Sequence, residues 1–327
     1  MLIGIFKSTQ PIALFAILPV FTLLLWLFGF IHPVTIPIDH VMPFFEVPAN
    51  FLKAFPWISI FIALLFIYFQ GLLINDIVIR NEILPQRTNL VALMYVLLMS
   101  CFDSFLTLHP VLFSNLFLLL ALNQVGALYR KEIVFSQVFK AGAFISIASL
   151  FYFPSLVLFL FIWTSLLIIR PFAWREYVIS LMGLIIPYAF VIVYYYWWDM
   201  LHYLWHDKMF YPINERSLNF SGQDFSNYLL IGFLGLLLIM SFSRLLNTLN
   251  KTVVRTQNLL WVLLTFLLFS VVAIIVLENA SIYVYGFAAI PVSVFYANYF
   301  LSQKKSWISE TLFLALLAII VYHHVSS

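Results

Sequence analysis

The chain has 327 residues, of which 64% are hydrophobic and only 9% charged, and its net charge is +3 at pH 7. A soluble domain carries about 25% charged residues, so this chain cannot cover a water-facing surface of its size, and its 36 Phe and mean hydropathy of +1.06 exclude disorder. What remains is one all-α polytopic membrane domain over residues 1–327, whose small basic excess reflects topology and not a nucleic-acid surface. The single Cys101 excludes an intrachain disulfide and a cysteine metal cluster.

Residues 1–10 carry Lys7, and an apolar run follows from Pro11 to Ile31. That run exceeds the roughly 7–15 residues of a signal-peptide core and no small-residue cleavage site follows it, so it reads as a retained first helix. At roughly 20 apolar residues per crossing, the expected spans are 11–31, 57–75, 89–103, 110–127, 138–153, 155–169, 177–197, 228–243, 258–277, 282–301 and 309–324, eleven in all. Pro154 interrupts the fifth and sixth, where a hairpin and a single re-entrant element both fit a proline break.

Basic residues choose between these. With the N-terminus cytoplasmic and the C-terminus outside, the cytoplasmic loops hold Lys7, Arg80, Arg87, Arg130, Lys131, Lys140, Arg170, Arg175, Arg244, Lys251, Arg255, Lys304 and Lys305, while the outer loops hold only Lys53, Lys208 and Arg216. Thirteen against three is a strong positive-inside bias. A single crossing at 138–169 would invert every later cluster and destroy it. The hairpin is the expectation.

The outer side also collects eight of the thirteen acidic residues and all seven histidines. Two outer loops are long enough to hold structure, near 32–56 and 198–228. The first, "IHPVTIPIDHVMPFFEVPANFLKAFP", is stiffened by five prolines that oppose a long helix. It carries Asp39, His40 and Glu46. A carboxylate held beside apolar residues at a membrane surface suits a general base or metal ligand; the plainer alternative is a solvated loop. Asp103 ends the third span and His109 begins the fourth; an intramembrane acid is a functional hypothesis by default, but a position at the span boundary, within reach of water, weakens that default. His323 and His324 read as a tail.

The second loop opens with an aromatic belt, Tyr194 to Trp198, and then sets Asp199, His202 and His206 at spacings of three and four. On a helix from Trp198 to Met209 these would share one face, opposite Met200, Leu201, Leu204 and Trp205. Such a face fits a divalent metal or a proton relay, and equally a wetted interfacial helix. Lys208 and Arg216 are candidates for holding a substrate phosphate. The chain contains no P-loop, G-x-G-x-x-G, H-E-x-x-H or G-x-S-x-G motif, which argues against an ATP motor. Mid-span charges are nearly absent, which argues against a midplane ion-coupled site.

The stretch "AGAFISIASLFYFPSLVLFLFIWTSLLIIRPFAWREYVISLMGLIIPY" resembles a family of polytopic inner-membrane proteins of Bacteroidota, which implies a bacterial inner-membrane location and no particular activity. The overall layout is similar to the GT-C class of integral-membrane glycosyltransferases. That resemblance implies transfer of a glycosyl group from a polyprenyl-phosphate donor at the outer face, with Asp39 or Glu46 as the loop carboxylate. The adjacent-acid pair and the large soluble domain of many GT-C members are missing here. The long loop at 198–228 is also compatible with the O-antigen polymerase and ligase class. The competing expectations are a non-catalytic subunit that scaffolds other envelope membrane proteins, and a carrier of lipid or small solutes.

Overall fold

The computed structural model describes residues 2–33, 42–129, 131–203, 225–249, 252–276, 282–303 and 305–326, and among these residues it is helical with no strand. The helices are α1 (Leu2–Lys7), α2 (Leu18–Ile31, entered through a π-helical turn at Ala13–Ile17), α3 (Pro43–Leu52), α4 (Pro56–Arg80), α5 (Leu90–Leu98) and α6 (Pro110–Gly126). They continue with α7 (Phe135–Phe151), α8 (Phe159–Ile169), α9 (Trp174–Trp197), α10 (Phe225–Leu249), α11 (Val254–Val276), α12 (Tyr285–Ser302) and α13 (Ser306–Ser326). Each of the eleven expected apolar segments is a helix.

Their lengths depart from expectation. Six stretches are long and apolar enough to cross a membrane: Ala13–Ile31, Pro56–Arg80, Trp174–Trp197, Phe225–Asn247, Val254–Ile275 and Trp307–Ser326. These give the chain the character of a helical membrane protein. The other five segments, α5 to α8 and α12, fall short of that criterion. The reason is tertiary. Every residue of α5 is buried, as is nearly all of α12, and a helix enclosed by other helices is apolar all round without meeting lipid. At 1.5 Å per residue, the nine residues of α5 rise only about 13 Å.

A helix that stops short inside an apolar bundle must still satisfy its terminal N–H and C=O groups. Residues far along the chain do this for α5. At its start, the Thr88 hydroxyl and the Asn89 backbone N–H both donate to the Phe6 carbonyl, at 3.1 and 2.9 Å. The Asn89 amide donates to Gln10 O at 3.0 Å and accepts from Asn75 at 3.2 Å. In its middle, Tyr95 donates to Gln70 Oε1 at 2.6 Å, and Gln70 donates to the Leu112 carbonyl at 2.6 Å. Asn115 donates to Gly286 O at 3.0 Å. This buried network ties α4, α5, α6 and α12 together.

The proline-containing segment forms the expected hairpin. α7 ends at Phe151, Tyr152 is extended, and a 3-10 turn at Phe153–Leu158 leads into α8. Arg170 then donates to the carbonyls of Lys131 and Glu132, which closes the end of α8 onto the approach to α7. Outside this hairpin lies α9. Gly142 of α7 and Gly183 of α9 sit reciprocally at the crossing, where an added Cβ would run into the carbonyl of Ser180 or Phe139. The two helices therefore meet backbone to backbone, as small residues allow.

The first outer loop is a correction in part. Pro43 begins a ten-residue helix, at the first helical position where no N–H is required, and Pro48 lies within it. Prolines here set a start point and did not prevent the helix.

Candidate functional site

A polar cluster forms where the ends of α2, α5, α10 and α13 meet. The link after α5 enters a 3-10 turn at Asp103–Phe105, and the last turn of α13 brings two histidines against it. His324 Nδ1 contacts Asp103 Oδ1, and His323 Nε2 lies 3.6 Å from Asp103 Oδ2. The other nitrogens are also engaged: His324 Nε2 is 3.0 Å from Ser100 O, and His323 Nδ1 is 3.1 Å from Ser226 Oγ. Trp26 of α2 donates to Ser100 Oγ at 2.9 Å, and that hydroxyl donates onward to Val96 O at 2.8 Å. Phe28 stacks on His324, with ring centres 5.6 Å apart. Both histidines are buried, while the Asp103 side chain is 31% exposed. The carboxylate is the exposed edge of the cluster.

Donor and acceptor roles follow from what each atom can do. A backbone carbonyl only accepts, so His324 Nε2 carries hydrogen. His324 Nδ1 faces a carboxylate oxygen, and an imidazole and a carboxyl group in contact can pass a proton between them. In a low-dielectric setting such a pair is a proton store that can serve as acid or base. Nearby, His109 is buried with both ring nitrogens unpartnered, stacked with Phe105 and Tyr283 at 5.4 and 4.8 Å.

The plainest role for His324 is structural, because it caps a carbonyl at the end of α5. Trp26 is the part of this cap that can be removed without touching the acid–base groups. Trp26→Phe should cost about 1–2 kcal/mol through loss of a buried hydrogen bond and some volume, read as a fall of a few degrees in the unfolding temperature in detergent, with the histidines left in place.

The residues expected from sequence fall elsewhere. Glu46 lies in the first part of α3, where Tyr203 donates to it at 3.3 Å, so the first outer segment does meet the start of the second. Asp39, His206, Lys208 and Arg216 lie outside the described residues. Asp199 and His202 do not lie on one continuous helix, and His206 is outside the described residues. α9 ends at Trp197, and Asp199 takes a left-handed φ of 56°. Met200 N–H bonds Tyr195 O at 2.9 Å and Asp199 N–H bonds Tyr196 O at 3.2 Å, which is the Schellman pattern of a helix stop. Asp199 closes α9, whereas exposed His202 belongs to a separate helical turn at Leu201–Tyr203. Among the described residues no group of three His, Cys, Asp or Glu is arranged to hold a metal ion; even at Asp103 the two imidazoles address different oxygens.

Comparison with known proteins gives a family. The family of unknown function DUF6427 matches residues 27–327. The chain belongs to it. No curated protein and no solved structure matches the chain. The matched region of this DUF6427 protein includes Asp103, Ser226, His323 and His324. Reading the sequence alone missed the two histidines by taking them as a tail. The expected alternation of spans had placed Asp103, His109 and the C-terminal end of the last helix on one side, which was the usable signal.

Proposed function

We propose that this DUF6427 protein is a group transferase of the bacterial inner membrane that acts at the outer end of its bundle on a lipid-linked donor, with Asp103 and His324 as the acid–base pair. The observation that carries the reading is the contact between His324 Nδ1 and Asp103 Oδ1, made by a partly exposed carboxylate at the rim of an apolar bundle. A donor anchored in the membrane would present its reacting group at that level. Glu46 and Asp39 become secondary candidates for positioning the acceptor.

In this reading all eleven helical segments alternate between the two ends of the bundle, with the N-terminus cytoplasmic. Pairing of the ends supports it. Contacts such as Phe6–Thr88, Glu82–Arg255 and Arg170–Lys131 join expected cytoplasmic segments, while Phe28–His324, Asp103–His324, Ser226–His323 and Glu46–Tyr203 join expected outer ones. Cysteines introduced at Trp198 and Arg175, the exposed positions at opposite ends of α9, test the orientation. Native Cys101 is fully buried and should stay silent. Trp198→Cys should react with an impermeant maleimide in intact cells and Arg175→Cys only after permeabilisation; the opposite pattern would reverse the orientation.

The function itself is tested with purified protein in lipid nanodiscs, offered a polyprenyl-phosphate-linked sugar and, separately, a phospholipid as acyl donor. Turnover of either that depends on Asp103 supports the reading. If neither is consumed and Asp103→Asn cells keep a normal envelope, the scaffold role takes its place.

A further inference from the structure

His323 has a use that the Asp103–His324 pair does not explain. Its Nε2 faces Asp103 Oδ2 at 3.6 Å and its Nδ1 faces Ser226 Oγ at 3.1 Å. In the neutral tautomer that carries its hydrogen on Nε2, toward the carboxylate, Nδ1 is left as an acceptor. Nδ1 then presents a lone pair to Ser226, and the serine hydroxyl donates to it. Hydroxyl, imidazole and carboxylate stand in series, the arrangement by which a base oriented by an acid activates a serine. The three residues are brought together from α10, α13 and the turn after α5.

We infer that Ser226 is a nucleophile and that the group transferred is an acyl group carried as a lipid ester; this rests on the transferase reading above and names its donor. Ser226 lies in the first turn of a 25-residue helix, where backbone N–H groups and the helix dipole favour a developing oxyanion. It is 3% exposed, but Phe225 and Tyr228 beside it are 74% and 57% exposed, so the hydroxyl is one side chain below the rim. A serine hydroxyl facing an imidazole and a carboxylate, beside the N–H groups of a helix start, suits attack on the carbonyl carbon of a neutral ester.

The step balances without a cofactor. Ser226 Oγ forms a bond to the ester carbon while its proton passes to His323 Nδ1, and the carbonyl electron pair moves onto oxygen. When that pair returns, the bond to the lipid alcohol breaks and the alcohol leaves with the proton from His323. An acceptor hydroxyl repeats the sequence in reverse and frees the serine. Asp103 keeps the imidazolium stable and oriented throughout, while His324 holds the other carboxylate oxygen.

A fluorophosphonate probe reports on this directly, because attack forms an Oγ–P bond, expels fluoride and leaves a stable adduct. The full-length protein in nanodiscs should be labelled at Ser226, as read by peptide mass spectrometry. Ser226→Ala should lose that adduct, and His323→Gln should slow labelling by about 10²-fold with its unfolding temperature followed in parallel. Absence of an adduct at Ser226 in the wild-type protein overturns the inference. If that happens while Asp103→Asn still slows turnover of the sugar donor, the transferase reading survives alone. An adduct at Ser226 with no lipid donor consumed would keep the nucleophile and overturn the transferase.

Discussion

Asp103→Asn should lower donor turnover by about 10²–10⁴-fold, the usual contribution of a positioned acid or base. Asparagine keeps the size of the side chain and one acceptor oxygen, but it cannot hold the proton shared with His324, and its amide would present hydrogen to a ring nitrogen. The loss should fall on kcat, since the carboxylate acts on proton transfer and not on anchoring the lipid tail. Stability should drop as well, by an amount typical of a broken buried pair at a partly exposed site, about 1–2 kcal/mol. His324→Gln separates the two effects, because the glutamine amide can still donate to the Ser100 carbonyl while contributing no base. Full activity in both variants, with the protein folded, would remove the acid–base role.

The largest effect on stability is expected at the crossing of α7 and α9. A methyl at Gly142 or Gly183 has no space to occupy, because its first neighbours are backbone carbonyls of the facing helix. Backbone cannot move aside as a flexible side chain does, so the helices must separate and the aligned packing along both is lost. Gly142→Leu or Gly183→Leu should therefore destabilise by about 3–5 kcal/mol, in the range of severe overpacking, and Gly→Ala by less. Gly232 and Gly235 of α10 have nothing within 4 Å of an added Cβ. Alanine there should be neutral or stabilising by up to about 1 kcal/mol. Thermal unfolding of the four alanine variants in one detergent would check the contrast, which disappears if all four behave alike.

Much of the fold was legible because apolar runs bounded by Lys, Arg and Pro are sufficient to mark helices in lipid. Pro154 marked the break between α7 and α8. Helix length was less legible. α5 is short and packed chiefly between α4 and α12, and burial by neighbours has no signature in its own nine residues. Asp199 misled for a local reason: its spacing to His202 suits a helix face, but the chain places it in the left-handed stop of α9, a position where glycine is the usual signal. The cluster at Asp103 was half-legible. Asp103 and the two histidines were expected at one end of the bundle, yet nothing in the run "VYHHVSS" shows that His323 and His324 turn inward to a residue some 220 positions earlier.

The way α5 is sealed bears on how the protein is made. Its first turn is closed by Phe6 and Gln10, which are synthesised before it, but the Ser100 carbonyl beyond its last turn is met by His324, 224 residues later. At a synthesis rate of about 5–20 residues per second, roughly 10–45 s pass before that partner exists. During this interval the emerging N-terminal third holds a polar chain end inside an apolar setting, with Asp103 beside it and no imidazole to meet either. The centre of the bundle is thus closed late, when arrival of α13 brings His324 to both Asp103 and the Ser100 carbonyl.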